Sequence, residues 1–354
     1  MASRTLRFLT QAWTAPTNPT TSFAGKNILI TGANTGLGFE AATKFVALGA
    51  DRVILGVRDL TKGGRAKELI EQRTGVKGKA EPWQLDMCDY RSMVRFATRA
   101  AELQRLDVAV LNAGVYKVKY EMSRYGLEET LQVNVVSTAL LGLLLLPVLK
   151  KARRKSGVLP VLEIVTSGNH ETIQIPEERR VKEKIMAAYN DDKGYDASVQ
   201  YKTSKLFAMY VMQSLAMLAR LEDGELEVLV TSVCPGAAKS DLSRGYDGLG
   251  MRMMKSIINA VLLRTTEQGA RSLVSGVTLG KKAHGRFWQH DEIRPPAPLV
   301  SGTEGEGLRR KVWAEVIEAL ANIPELVSVE ASPSENQIQH QLDGMKCRRK
   351  ESEL

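Results

Sequence analysis

Cysteine is scarce in this chain: Cys88, Cys234 and Cys347 are three among 354 residues, with neither metal-ligand nor CxxC spacing. An odd, unclustered set fits a reducing compartment without disulfides, marks no cysteine as a nucleophile and gives no reason to expect a metal. Acidic residues are missing from the first 26 positions, where Arg4, Arg7 and Lys26 accompany Leu6, Phe8, Leu9 and Trp13. A transit peptide would share that bias, but Pro16 and Pro19 cut the helical stretch short. The expectation is an N-terminal arm over 1–26, packed on the domain or touching a membrane surface through 1–15, in a cytoplasmic protein. Long apolar runs are missing too. The longest, Ala139 to Val148, is broken by Gly142 and Pro147 and falls short of a bilayer span, so it reads as a buried helix. Basic residues outnumber acidic ones by 49 to 40, a net charge of +9, yet they lie scattered beside acids, as in Lys62 to Glu71. No basic strip interleaved with aromatics argues for nucleic acid, and the surplus suits an anionic cofactor or a solvated surface.

What the chain does have is a glycine turn in the right surroundings. Asn27-Ile28-Leu29-Ile30-Thr31 runs into Gly32-Ala33-Asn34-Thr35-Gly36-Leu37-Gly38 and then into a helical pattern. This reads as a buried strand, a tight turn and a helix opening at Gly36. Glycines allow backbone conformations closed to other residues and let a pyrophosphate approach, while the N–H groups and dipole of the helix start favour negative charge. The spacing is Gly-x-x-x-Gly-x-Gly with no Gly-Lys-Ser/Thr after it, which disfavours a P-loop. Taken alone, the three glycines would also serve an ordinary strand-to-helix turn.

Downstream, short apolar runs alternate with helical patterns: Arg52 to Val57 then Lys62 to Arg73, Ala80 to Leu85 then Tyr90 to Leu103, and Asp107 to Leu111 then Leu127 to Lys150. The alternation resumes with Pro160 to Val165, a helix from Gln200 to Arg220, Leu226 to Val233, and a helix from Glu267 to Leu279. Repeated units of this kind predict an α/β, Rossmann-like, doubly wound parallel sheet in a single domain over 27–330. Ligands then bind beyond the carboxyl ends of the strands. Two stretches break the pattern. Residues 168–199 form a polar, charged insertion, and 237–262 carry Met251, Met253, Met254, Ile257, Ile258, Val261 and Leu262 at helical spacing, as a lid for varied ligands or a plain core helix would. A turn at Pro295-Pro296-Ala297-Pro298 precedes a helix from Gly307 to Leu320, and 331–354 read as a disordered tail.

Tyr201-Lys202-Thr203-Ser204-Lys205 places Tyr201 and Lys205 four apart on one helical face. A phenol with a pKa of ~10 is a poor acid–base catalyst near neutrality, and a neighbouring cation would lower that value. Ser167, Asn112 and Asp86 each end an apolar run and so lie on the ligand-binding edge. Together with Thr31 to Gly38, Asn112-Ala113-Gly114, Asn134 and Pro235-Gly236, these pieces resemble the short-chain dehydrogenase/reductase family over about residues 23–290. Gly38-Phe39-Glu40-Ala41-Ala42, Val53 to Asp59, Gly285-Arg286-Phe287-Trp288 and Lys311-Val312-Trp313 resemble its retinol-dehydrogenase-like branch, notably fungal members from secondary-metabolite pathways.

The resemblance implies Tyr201 as general acid or base, Lys205 tuning it and bonding the nicotinamide ribose, Ser167 holding the substrate oxygen, and Asn134 completing a proton relay. It implies Gly32, Gly36, Leu37, Gly38, Asp86 and Asn112 around the cofactor, with Asp86 alternatively an N-cap in competition with Asp89. Ser167 and Tyr201 are 34 residues apart in the sequence, farther than the family's roughly one dozen, so 168–199 must loop out; Thr166 is the alternative donor. At the end of the second strand, where members preferring NAD carry an acid, this chain has Val57-Arg58, so Arg58 with Lys62 favours the 2′-phosphate of NADP, while Asp59 keeps NAD as the second choice. The expected activity is hydride transfer between NADPH and a ketone, aldehyde or secondary alcohol of an apolar substrate. The rival is a catalytically silent dinucleotide-binding sensor or scaffold. The apolar helix Asn134 to Leu149 is either a homodimer face or covered by the carboxyl-terminal segment.

Overall fold

Five runs rich in Val, Ile and Leu make the centre of an eight-stranded sheet, since strands covered on both faces have no solvent side to keep polar. The computed structural model describes residues 15–238, 264–321 and 323. The arm expected to touch a membrane over 1–15 lies outside these residues but for its last residue, as do the Met-rich stretch beyond Ala238, Cys347 and the tail 331–354. The strands are β1 (Asn27–Thr31), β2 (Arg52–Val57), β3 (Ala80–Gln84), β4 (Val108–Leu111), β5 (Val161–Val165), β6 (Leu229–Cys234), β7 (Phe287–Gln289) and β8 (Glu292–Arg294). Their order is β3-β2-β1-β4-β5-β6-β7-β8. All pairings are parallel except β7 with β8. The chain order reverses between β1 and β4, and there the carboxyl ends splay to leave a crevice.

The long helices are α1 (Gly36–Ala47), α2 (Leu60–Thr74), α3 (Tyr90–Ala101), α4 (Glu129–Ser156), α5 (Ala197–Leu218), α6 (Thr266–Gly276) and α7 (Gly302–Leu320). Two apolar layers sandwich the sheet. One gathers Ile28, Ile30, Phe45, Val53, Leu55 and Leu273 under α1, α2 and α6. The other gathers Leu29, Ile54, Leu140, Phe207 and Tyr210 under α3, α4 and α5. Helix ends follow the local chemistry: Asp59, Asp89 and Asp196 cap α2, α3 and α5 by accepting N–H bonds from Lys62, Arg91 and Val199. Thr265 and Gln268 close a reciprocal capping box on α6.

The buried-helix reading of Ala139 to Val148 holds, but the ground of length does not. The helix around it runs 28 residues, long and apolar enough to cross a membrane by composition, and 89% of its apolar window is buried inside the fold. A Cβ on Gly142 would lie 2.5 Å from Leu215 Cδ1, so the missing side chain lets α4 lie tight against α5.

The polar, charged insertion packs into the fold. Ile173, Ile175, Ile185, Met186 and Tyr189 are buried in the same layer as α5. The buried Glu315 carboxylate of α7 accepts the Met186 and Ala187 N–H groups at 2.7 and 2.8 Å. Lys311 of α7 donates to the Arg180 and Lys182 carbonyls, both at 2.9 Å. Tyr210 and Gln213 of α5 donate to the Leu299 and Val300 carbonyls just before α7. The apolar faces of α4 and α5 are thus covered from within the chain. The arm also packs down over 15–26: Phe23 is buried edge-on against Phe45 at 4.8 Å, and the Pro16 carbonyl accepts from Arg271.

Candidate dinucleotide and catalytic site

The glycine turn is built as its spacing requires. Gly32 and Gly36 have φ of 66° and 62°, in the left-handed region that favours glycine. Gly38 is the tight contact: a Cβ there would lie 2.5 Å from the Gly32 carbonyl oxygen and 2.6 Å from Asn112 Nδ2. A Cβ on Gly36 would meet nothing within 4 Å, so this glycine faces open space at the helix start. The Thr35 side chain does not cap α1, and the first turn holds no acidic residue. Backbone N–H groups at the positive end of a helix dipole therefore face a cavity of about 710 Å³ that runs from this turn to Tyr201. The chemistry fits a dinucleotide pyrophosphate.

Around the adenosine end, Arg58, Asp59, Lys62 and Asp86 line the same cavity. Arg58 is exposed at the end of β2, while Asp59 is engaged as the N-cap of α2. Asp86 accepts the Cys88 N–H at 2.9 Å and leaves the capping of α3 to Asp89. Leu37 lines the cavity. Asn112 lies behind the turn, with its Nδ2 donating to the Thr31 carbonyl at 2.8 Å, so it ties the end of β4 to the turn itself.

At the other end, the sheet edge brings Ser167 at the end of β5 to Tyr201 on α5. The 168–199 insertion folds away from between them, both side chains line the cavity, and the Ser167 hydroxyl favours the charged form of the phenol. Thr166 is buried and turned to the Val233 carbonyl, at 3.4 Å, which leaves Ser167 as the hydroxyl at the phenol. Lys205 follows one turn on, its Nζ 5.6 Å from the centre of the Tyr201 ring and donating to the Val165 carbonyl at 3.1 Å.

The expected lowering of the Tyr201 pKa is not what the protein alone produces. Burial pushes the phenol up, with Cys234 adding to this, and the Ser167 hydrogen bond only partly offsets it. Burial also drives Lys205 down, to about 8. Removing both groups from water penalises each charged form, and at this separation the cation does not overcome that penalty. Tyr201 is consequently a neutral proton donor across the physiological range.

Asn134 sits in a six-residue π-helical segment of α4, Gln132–Ser137, a local widening of the helix of the kind often found at functional sites. Its side-chain oxygen accepts the Val115 N–H at 2.8 Å, and its Nδ2 donates to the Val115 carbonyl and the Ser204 hydroxyl at 2.9 and 3.0 Å. The side chain thus clamps the strand-end loop to α5 beside Lys205. Any relay would pass beside this amide and not through a free side-chain atom.

Several residues of the site escaped sequence reasoning. Thr31 Oγ1 accepts the Ala113 N–H at 2.8 Å. The Cys234 sulfur, dismissed as a nucleophile, gathers N–H groups of Gly168 and Gly236 and the Gln289 amide at 3.2 to 3.3 Å. Gln289, His290 and Arg294, from the β7–β8 hairpin, also line the catalytic half. Among the described residues no cluster of metal-ligating side chains occurs.

A glycine turn, a strand-order reversal and a Ser–Tyr–Lys group on one crevice define a dinucleotide-dependent oxidoreductase of Rossmann-like fold. The short-chain dehydrogenase family model matches residues 26–166. The chain is 44% identical to the short-chain dehydrogenase/reductase ffsI of Aspergillus flavipes, over 86% of this chain and 89% of that one. It is 43% identical to the short-chain dehydrogenase/reductase phmF of Phaeosphaeria nodorum, over 86% and 88%. In fold it is similar to a crystal structure from Mycobacterium paratuberculosis, with a TM-score of 0.60 at 23% identity, covering 86% of this chain and 97% of that one. The chain belongs to the short-chain dehydrogenase/reductase family and, with it, to the oxidoreductases that bind a nicotinamide dinucleotide.

Proposed function

We infer that this chain is NADP-dependent and moves a hydride between NADPH and the ketone, aldehyde or secondary alcohol of a largely apolar molecule in secondary metabolism. The observation that carries the reading is that Tyr201, Ser167 and Lys205 line one wall of the cavity that the glycine turn opens into. In the reductive direction the Tyr201 O–H gives its proton to the carbonyl oxygen, and Ser167 donates a hydrogen bond to the same oxygen as negative charge develops there. Lys205, one helical turn away, holds positive charge beside the phenol as the proton leaves. Arg58 with Lys62 supports the NADP choice, because a guanidinium and an ammonium suit a 2′-phosphate and the nearest carboxylate, Asp59, is held by the α2 cap. The apolar substrate rests on the Met-rich stretch after Ala238, and a cytoplasmic setting on the cysteine pattern. The burial of α4 supports a chain that works without a homodimer contact over Asn134–Leu149.

The test is Tyr201→Phe, assayed on a broad panel of ketones and aldehydes with NADPH. Removal of a general acid should cut carbonyl reduction by about 10² to 10⁴ while NADPH binding persists. A wild type as inert as the variant over the whole panel would favour the silent sensor or scaffold.

A further inference from the structure

We propose that the catalytic half of the cavity holds an anion subsite built on Arg294, so that the substrate carries a carboxylate as well as its reacting carbonyl or alcohol. This rests on the reading of the cavity just given and narrows its substrate class: an apolar body with one acidic tip. Arg294 lies on β8, opposite Phe287, and Glu292 lies opposite Gln289. Directly paired residues project from the same sheet face, so Phe287, Gln289 and Arg294 share one. On that face the Phe287 ring meets His170 at 4.7 Å, and Gln289 reaches Cys234 at 3.3 Å. His170 in turn hydrogen-bonds the Ser167 carbonyl at 2.7 Å. Arg294 therefore stands on the side of the sheet where Ser167 and Tyr201 meet, and its side chain forms part of the cavity wall.

The guanidinium there is short of partners. Its side chain is only 16% exposed, and Nε and Nη1 are buried without a hydrogen bond. Among the described residues, the carboxylate paired with it is that of Glu292, 3.9 Å away and 61% exposed. A buried cation with unmet donors is costly, and native proteins seldom keep one without a reason. Its planar fork matches a carboxylate in particular. Glu171 on the same wall adds a negative charge that disfavours a dianion such as a phosphate ester. The subsite sits on a paired strand, so it is rigid before any ligand arrives.

The probes are 2-naphthoate and 2-naphthamide, equal in shape and differing in charge, titrated calorimetrically into the full chain with and without NADPH. Naphthoate should bind at least tenfold tighter than naphthamide. In Arg294→Met the two should agree within twofold, with the NADPH affinity unchanged. Arg294→Gln, which keeps hydrogen bonding without charge, should behave as Met does, and Arg294→Lys should retain part of the preference. Equal binding of the two probes to the wild type, or a preference that survives in Arg294→Met and Arg294→Gln, would overturn the subsite. Failure of NADPH to bind would instead strike at the functional reading, and the cofactor titration shows it separately.

Discussion

Replacing Lys205 by Met should abolish turnover and yet stabilise the protein. The Lys205 side chain is buried, and its pKa falls from 10.5 to about 8. At about 1.4 kcal/mol per pH unit, that fall of about 2.5 corresponds to about 3.5 kcal/mol of burial cost carried by the charged form at pH 7. Met fills a similar volume without charge but loses the hydrogen bond to the Val165 carbonyl, which takes back about 1 kcal/mol. The net gain is about 2.5 kcal/mol, or roughly 5 °C in Tm for a domain of this size. The sign with pH follows from linkage. Because the folded chain binds this proton less tightly than the unfolded one, wild-type stability rises between pH 8 and 10.5, and the advantage of the variant shrinks over the same interval. Urea denaturation of both proteins without cofactor at pH 7, 9 and 10.5 measures this directly. A variant less stable than wild type at pH 7, or an advantage that stays constant with pH, would refute the reasoning.

Gly38→Ala should eliminate cofactor binding or folding, because its Cβ would lie 2.5 Å from the Gly32 carbonyl, and neither piece of backbone can yield; soluble yield and NADPH titration check it. Glu163, fully buried on β5 with neither carboxylate oxygen hydrogen-bonded and Gly276 making the room, is pushed well above the ordinary glutamate value by burial. The folded state thus binds its proton more tightly than the unfolded one, so stability falls as pH rises above about 4.5. Glu163→Gln should remove up to about 1.4 kcal/mol per pH unit from that slope, read from denaturation midpoints across pH 5 to 7; an unchanged slope would contradict the buried, protonated state.

The sheet was legible because its signals are local. Apolar runs such as Ile28 to Ile30 and Val53 to Leu55 have nowhere to go but a doubly covered strand, and the intervening helices announce themselves by period. Tyr201, Lys205 and Ser167 were legible because each sits at a fixed place on such an element. The β7–β8 hairpin was not. Its two-residue turn is His290-Asp291, with φ of 54° and 59°, where a turn of this hand usually shows Asn-Gly. Strands of three residues leave no alternation to read. The packing of 168–199 was hidden for another reason: its apolar residues are spread among charges, and the Glu315 carboxylate that holds it lies 129 residues beyond Met186. The direction of the Tyr201 shift depends on burial, which spacing along a helix does not encode.

The most direct test of the whole account is a calorimetric titration of wild-type protein and Arg58→Ala with NADPH and, separately, with NADH at one fixed salt concentration. The account predicts clear NADPH preference in the wild type and its loss in Arg58→Ala, with NADH binding little changed. Wild-type protein that binds neither cofactor, or binds NADH as tightly as NADPH, would contradict it.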